Sequence, residues 1–390
     1  MKLIMPLKTL LKWLLLAILA YAGLVLLVFL GQMVSAGVRD PDADLRDQTL
    51  NPSVTEIIES VRLIVAANRT PTYQRDAHAK PHGCVRALFE VPQVPDKFRH
   101  GLFAQPGTYE SWIRFSNGTV PSLPDTKGDA RGMAIKVMGV RGKQLLDDRL
   151  SGNTQDFLMV NSPAFFIRRI DSYVELERQQ AANTPFKYFF ANYSPNPFRW
   201  ELRELYLGLS SRKKAPPTPL SDQYYSMSAY RLGPSEIKFS AKACEDLTAP
   251  GVDRSNPNFL RDAMKAQLRG GDACFQFMVQ LRDADARMPI EDTTVAWSER
   301  RSPFVPVAQI YVPRQDFDTP EQNELCENLA FNPWHGTTAH EPLGKINELR
   351  RELYLRTAAF RQGRNGVTQG EPESWCDSLS VRCAIGGWPD

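Results

Sequence analysis

The strongest pattern along the chain is an unbroken apolar run near its start. From Trp13 to Gly31 the residues read WLLLAILAYAGLVLLVFLG, and none is charged. As a helix this run spans roughly 28 Å, close to the hydrocarbon thickness of a bilayer. Lys2, Lys8 and Lys12 precede it, and the next charged residue is Arg39. The positive-inside bias therefore predicts a cytoplasmic N-terminus and a body on the far side of the inner, cytoplasmic membrane, periplasmic or extracellular. The run is longer than the apolar stretch of about 7–15 residues in a cleaved signal, which favours a retained single-pass anchor. Val34, Ser35 and Ala36 are small enough for a cleavage site, so a cleaved leader stays open.

Beyond this segment (1–36) the pattern changes. Residues 37–52, GVRDPDADLRDQTLNP, are polar and rich in Asp and Pro, which predicts a linker. Ser53 and Glu56 have capping-box spacing, and Val54, Ile57, Ile58, Val61 and Ile64 then recur with helical period. Residues 83–138 alternate apolar and polar in short runs such as CVRALFEV, YESWIRFS and GMAIKVMGV, punctuated by Gly and Pro, and predict strands. Residues 173–212 carry a helical period with many aromatics. Further strands are expected at 237–241, 273–281 and 306–312, and a helix from about Leu343 to Phe360. No internal repeat is present. The fold class is α+β, with residues 53–390 forming one domain: a closed antiparallel sheet bracketed by helices.

Composition changes this picture little, whereas charge refines it. The 390 residues are 43% apolar and 23% charged, with 29 prolines and 24 glycines. That is ordinary for a globular protein and excludes disorder or a collagen-like repeat. Lys and Arg number 47 against 44 Asp and Glu. The three lysines before the apolar run account for the whole excess, so the body is neutral. A neutral body lacks the electrostatic footprint of a nucleic-acid-binding protein. The six cysteines, Cys84, Cys244, Cys274, Cys326, Cys376 and Cys383, form no CxxC pair, which excludes zinc knuckles and thioredoxin-type redox motifs. Export would make disulfides natural, with Cys376–Cys383 one candidate.

Three groups of residues carry candidate chemistry. On the expected C-terminal helix, Tyr354 lies about 40° and Arg361 about 20° from Arg350 around the axis. One stripe thus presents a phenol between two guanidiniums. A guanidinium favours phenolate, and a phenolate is a hard anionic ligand suited to ferric iron. The alternative is a half-buried tyrosine beside solvated arginines. A second group, Arg75-Asp-Ala-His78-Ala-Lys-Pro-His82-Gly83, holds two of only five histidines. A histidine of near-neutral pKa suits general acid–base work, although most are structural. The third is SWIRFSNG, in which Trp112, Arg114 and Ser116 share one strand face and Ile113 and Phe115 the other. A buried Arg114 would need an anionic partner, which an ordinary ion pair could supply.

In order and spacing these groups resemble the haem catalase superfamily from about Arg75 to Asn365. Arg75-x-x-His78-Ala79-Lys80 resembles the segment carrying the catalase distal histidine, and Arg114-Phe115-Ser116 its RFS strand. Asp129-x-Arg131-Gly132-x-Ala134-x-Lys136, Asn161-Ser-Pro-Ala-Phe165-Phe166-Ile167-Arg168, Phe331-Asn332-Pro333 and Glu341-Pro342 follow in sequence. Arg350-x-x-x-Tyr354-(x)6-Arg361-x-Gly363-x-Asn365 closes the series. The resemblance implies a catalase-like antiparallel barrel core holding haem b. It implies Tyr354 as the iron ligand with Arg350 as its activator, and His78 as distal acid–base supported by Ser116. Arg75, Arg114 and Arg361 would pair with the haem propionates, Phe165 would line the distal channel, and Tyr173 would stack on the ring. Val160 stands where the family has its distal asparagine, and Asn161 follows one place late. One inserted residue between His78 and Phe89 leaves His82 as a competitor. The FNPWHGTTAHEPLG stretch, with His335 and His340, resembles the small catalase-related proteins of bacteria more than true catalases.

The expected function is a membrane-anchored haem peroxidase of catalase-like type, acting on hydrogen peroxide or organic hydroperoxides with an unidentified electron donor. Oligomerisation is left open. A non-catalytic haem-binding or haem-sensing module, or a hydroperoxide isomerase of the allene-oxide-synthase type, would use the same residues.

Overall fold

Alternating strands close on themselves. The computed structural model describes residues 7–38, 40–69, 72–146, 152–248, 251–368 and 370–379. Among them β1 (Pro81–Val91), β2 (Gly107–Asn117), β3 (Arg131–Met138), β4 (Thr154–Val160), β5 (Gln223–Tyr225), β6 (Tyr230–Leu232), β7 (Ser235–Ala243), β8 (Ala273–Leu281) and β9 (Val305–Val312) form one antiparallel sheet. The order β1–β2–β3–β4–β5–β7–β8–β9 returns to β1, giving an eight-stranded barrel. β6 continues the edge of β7 that β5 leaves unpaired.

The barrel interior is solid. Phe89, Phe115, Phe157, Phe239 and Phe277 are all buried, and the Phe157 and Phe277 rings lie 4.6 Å apart between centroids. Side chains fill a barrel of this size, so a ligand site must lie on its outer surface.

Helices make that outer layer. The N-terminal α1 (Leu7–Val38) is followed by α2 (Asn51–Ala67), α3 (Ile170–Ala181), α4 (Phe186–Phe189), α5 (Leu202–Ser211), α6 (Phe259–Gly270), α7 (Pro320–Asn328), α8 (Lys345–Arg364) and α9 (Trp375–Leu379). Ile57, Ile58 and Val61 of α2 pack with Ile170 and Val174 of α3 and with Leu349 and Leu353 of α8. This helical sheet faces the barrel across a cavity.

Several expectations change. α2 begins at Asn51, with Leu50 at its N-cap and Pro52 in its first turn, so Ser53 caps nothing. Proline pre-sets the helical φ there. The expected helix over 173–212 is three separate helices, because Pro185, Pro195 and Pro197 interrupt it. The stretch expected to be a linker is docked onto the body. Asp42 is buried and accepts hydrogen bonds from the backbone of Ile290, Glu291 and Asp292 at 2.9–3.1 Å. Leu45 is fully buried, and Asp44 pairs with Arg168. The strand β4 escapes sequence reading because nearly all its residues are buried on both faces, which erases the alternation.

Two disulfides lie among the described residues, Cys84–Cys326 and Cys244–Cys274. The expected Cys376–Cys383 pair has one end, Cys383, outside them.

Candidate active site

Strand alternation places the first half of the site. Along β2, Ile113 and Phe115 enter the barrel core while Arg114 and Ser116 point outward and are almost completely buried beneath the helices. The segment just before β1 crosses over them. His78 adopts φ of 59°, a left-handed conformation uncommon for a residue other than glycine. In that conformation its Nδ1 sits 3.0 Å from Ser116 Oγ, and its carbonyl accepts a 2.8 Å hydrogen bond from Arg114 Nη2.

Gly132 on β3 makes room for the ring. A Cβ at that position would lie 2.5 Å from His78 Nδ1 and 2.9 Å from Ser116 Oγ. Burial, together with Arg114, Arg75 and Arg350, lowers the His78 pKa to about 4. The imidazole is therefore neutral at pH 7 and free to accept a proton.

The second half comes from α8, where the predicted stripe forms. Arg350 Nη2 donates to Tyr354 Oη at 3.3 Å, and Nη1 donates to Asn347 Oδ1 at 3.0 Å. Burial acts against the Arg350 charge, but Tyr354 and Tyr230 outweigh it and raise its pKa. Tyr354 and Arg350 line the same cavity walls as His78.

Three guanidiniums gather below. Arg75 pairs with Glu327 at 3.2 Å and donates to the carbonyls of Cys326 and Leu329. Arg361 donates to the Glu327 carbonyl and lies 3.7 Å from its carboxylate. Arg114 has no carboxylate within 4 Å among the described residues, and its buried Nε has no hydrogen-bond partner. Burial and then Arg75 lower the pKa of both Arg114 and Arg361, the latter to about 9. Among the described residues Glu327 alone forms ion pairs with the cluster, and burial raises the Asp76 carboxyl beside it. Such an excess of buried positive charge is costly unless an anion neutralises it.

The atom-free space between barrel and helices forms two adjoining cavities of about 1040 and 1530 Å³, open mouth included. Tyr173 lines both, and Phe165 lines the larger and meets the Tyr173 ring edge-on at 5.6 Å. The structure thus brings together His78, Ser116, Tyr173, Arg350 and Tyr354, the three arginines, and Phe165 at the far wall.

Asn161 is not part of this group. Val160 forms the wall at that point, while the buried Asn161 amide accepts from Arg131 N at 2.8 Å and donates to Asp222 at 2.9 Å. The single-residue offset alternates the side chain away, as strand pleating requires. His82 also faces elsewhere, buried on β1 and 3.9 Å from Asp125.

Two residues at the site, one lining the cavity and one paired with its arginines, escaped the sequence reading. Glu177 lines the larger cavity one helical turn from Tyr173, and burial raises its pKa to about 8. The i,i+4 spacing from Tyr173 was the available signal. Glu327 gave none, because only the fold brings α7 to the arginines.

Asp156, His335 and Glu371 come close enough to suggest a metal site. Lys136 already supplies the cation, with its Nζ 2.8 Å from Asp156 and paired with Glu371. This is an internal charge network tying β3 and β4 to the C-terminal segment.

The residues fit a haem by their chemistry. A phenol with a guanidinium neighbour has the donor chemistry that would suit an iron ligand, and the under-neutralised arginines, one with an orphaned Nε, would suit an anionic edge such as two propionates.

No protein-family model matches the sequence, and no curated protein matches it. Solved structures do. Catalase A from Saccharomyces cerevisiae aligns with a TM-score of 0.57 at 18% identity, over 77% of this chain and 62% of its own. A bacterial catalase gives 0.57 at 16%, over 78% and 62%. A fungal catalase gives 0.56 at 16%, over 77% and 61%. The chain thus spans about three-fifths of the length of these catalases. Its closed barrel with flanking helices is a catalase-like fold.

Proposed function

We propose that the protein is a haem peroxidase facing the compartment beyond the membrane that α1 crosses. The observation that carries this reading is the pairing of two units in one cavity: Arg350–Tyr354 from the helices and His78–Ser116 from the barrel. Tyr354 would hold the iron, and Arg75, Arg114 and Arg361 the propionates. When bound, haem supplies the iron-centred redox chemistry that breaks an O–O bond.

The chain's own residues manage protons and charge. With Nδ1–H donated to Ser116 Oγ, His78 presents Nε2 as the acceptor for a peroxide proton. His78 then returns that proton to the departing oxygen. Arg350 keeps its positive charge one hydrogen bond from the phenol oxygen, where it would face the ligand atom. The net reaction converts ROOH, two protons and two electrons into ROH and water, the electrons coming from a small one-electron donor in two steps.

The position of Asn161 supports reduction over dismutation. A second peroxide would need a second polar arm over the site, and Val160 stands there instead. The two disulfides support an oxidising compartment.

The test is the absorption spectrum of protein purified from haem-replete cells, wild type beside Tyr354→Phe. A tyrosinate-type ferric spectrum in the wild type, altered or lost in the variant, is expected. Absence of haem from both overturns the reading. Oxygen evolution at catalase rates without a reductant would overturn the preference for peroxidase.

A further inference from the structure

The molecule's exposed apolar surface is concentrated. Outside α1, the exposed large apolar side chains among the described residues are Leu63 and five within residues 186–209. These are Phe186, Tyr193, Phe198, Tyr206 and Leu209, with Phe198 the most open at 70%. Such residues ordinarily occur singly on a soluble surface, and a cluster marks an interaction site.

α1 lies against this same segment. Tyr21 Oη donates to Pro195 O at 2.9 Å, and Gln32 Nε2 donates to Trp200 O at 2.6 Å. The Phe29 and Tyr206 rings are 5.7 Å apart. Tyr21 and Phe29 both belong to the uncharged run Trp13–Gly31. A bilayer that surrounds that run therefore also reaches residues 195–206. The hydrogen bonds of Asp42 hold the chain leaving α1 to the body and fix this orientation. Lys187 and Arg199 are interspersed in the apolar cluster, and Arg212 and Lys214 follow it, the mixture typical of segments lying at a membrane surface.

The cavity opens at this face. Phe186 and Leu209 are half exposed yet line the larger cavity, whose walls continue through Leu205 and Leu176 to His78 and Tyr354. Beyond its mouth this passage is mostly apolar.

We propose that residues 186–209 are embedded in the bilayer beside α1, and that the cavity admits a membrane-borne amphiphile with an acyl chain. Joined to the peroxidase reading, on which this step rests, the substrate class is an acyl-chain hydroperoxide. Membrane contact and entry of the acyl chain do not require peroxide chemistry.

The full-length protein in phosphatidylcholine nanodiscs, with a diazirine in the acyl chain of a fraction of the lipid, tests this. After irradiation and peptide mapping, crosslinks are expected at the rim, near Phe186 and Leu209, and inside, near Leu176. Crosslinks confined to α1 overturn the proposal. The Tyr193→Glu plus Phe198→Glu double variant, outside the cavity, is expected to lower interior labelling about tenfold by disfavouring embedding. The same variant should slow removal of phosphatidylcholine hydroperoxide about tenfold and leave hydrogen peroxide turnover unchanged. Equal loss on both substrates overturns the membrane route. Interior labelling without consumption of either peroxide upholds the route and overturns the peroxidase reading instead.

Discussion

Arg350 and Tyr354, one turn apart on α8, meet through a 3.3 Å hydrogen bond from the guanidinium to the phenol oxygen. Nothing else in the cavity joins a permanent cation so directly to a candidate iron ligand. Arg350→Leu removes the cation and keeps the phenol. The expected result is retention of some haem with a shifted ferric spectrum and peroxidase turnover lower by about 10–100-fold, on the scale of lost electrostatic stabilisation. An unchanged spectrum and rate would separate Arg350 from the chemistry.

Gly132 controls the other half. Its Cβ in Gly132→Ala would stand 2.5 Å from His78 Nδ1, so the ring must swing away from Ser116. Turnover is expected to fall at least about tenfold, with a stability cost of roughly 1–3 kcal/mol from overpacking. Ser116→Ala creates no clash and should lower the rate with little loss of stability. Comparison of kcat/KM with denaturant midpoints for both variants distinguishes ring displacement from general disruption.

Arg114 offers a test of the anionic-ligand argument without any assay of activity. Its charge is buried, lacks a close carboxylate and leaves Nε unpaired. Arg114→Leu should stabilise the haem-free protein by about 1–2 kcal/mol, as apolar replacement of buried charge often does, while weakening haem binding. Thermal unfolding of the apoprotein and a spectrophotometric haem titration read the two effects. A less stable apoprotein would sink the idea that the cluster awaits an anion.

The Cys84–Cys326 bridge holds the end of α7, whose carbonyls receive Arg75 and Arg361. Cys84→Ser is expected to cost about 2–5 kcal/mol and also to weaken haem retention. Cys244→Ser, which opens the bridge to Cys274 far from the arginines, should affect stability alone.

Stability should also depend on acid. Burial lowers His82 to about 3 and His340 to about 4, from 6.5. Both are neutral in the folded protein through most of the interval in which the unfolded chain binds protons. Their contribution is fully present above pH 6.5 and is lost as pH falls toward 4 and then 3. Each adds a slope of roughly 1.4 kcal/mol per pH unit in that window. Urea midpoints between pH 7 and 4 check this, and His340→Gln should remove one proton's share of the slope.

The apolar run, the strands with one solvated or one cavity face, and the helical stripe Arg350–Tyr354–Arg361 were legible because each depends on local periodicity. β2 illustrates it: alternation alone sets Arg114 and Ser116 opposite Ile113 and Phe115. The chemistry of the pieces was therefore visible along the chain. Their assembly was not. Whether His78 or His82 reaches the cavity depends on a left-handed residue and on space beside Gly132. Whether Asn161 can serve there depends on the phase of β4, a strand too buried to alternate. Residues 37–52 read as a linker because the hydrogen bonds that Asp42 accepts from a backbone some 250 positions away leave no local trace. The alignment of α1, the apolar segment 186–209 and the cavity mouth belongs wholly to tertiary structure. Local patterns decide which face a side chain takes, whereas contacts between distant segments decide what that face meets.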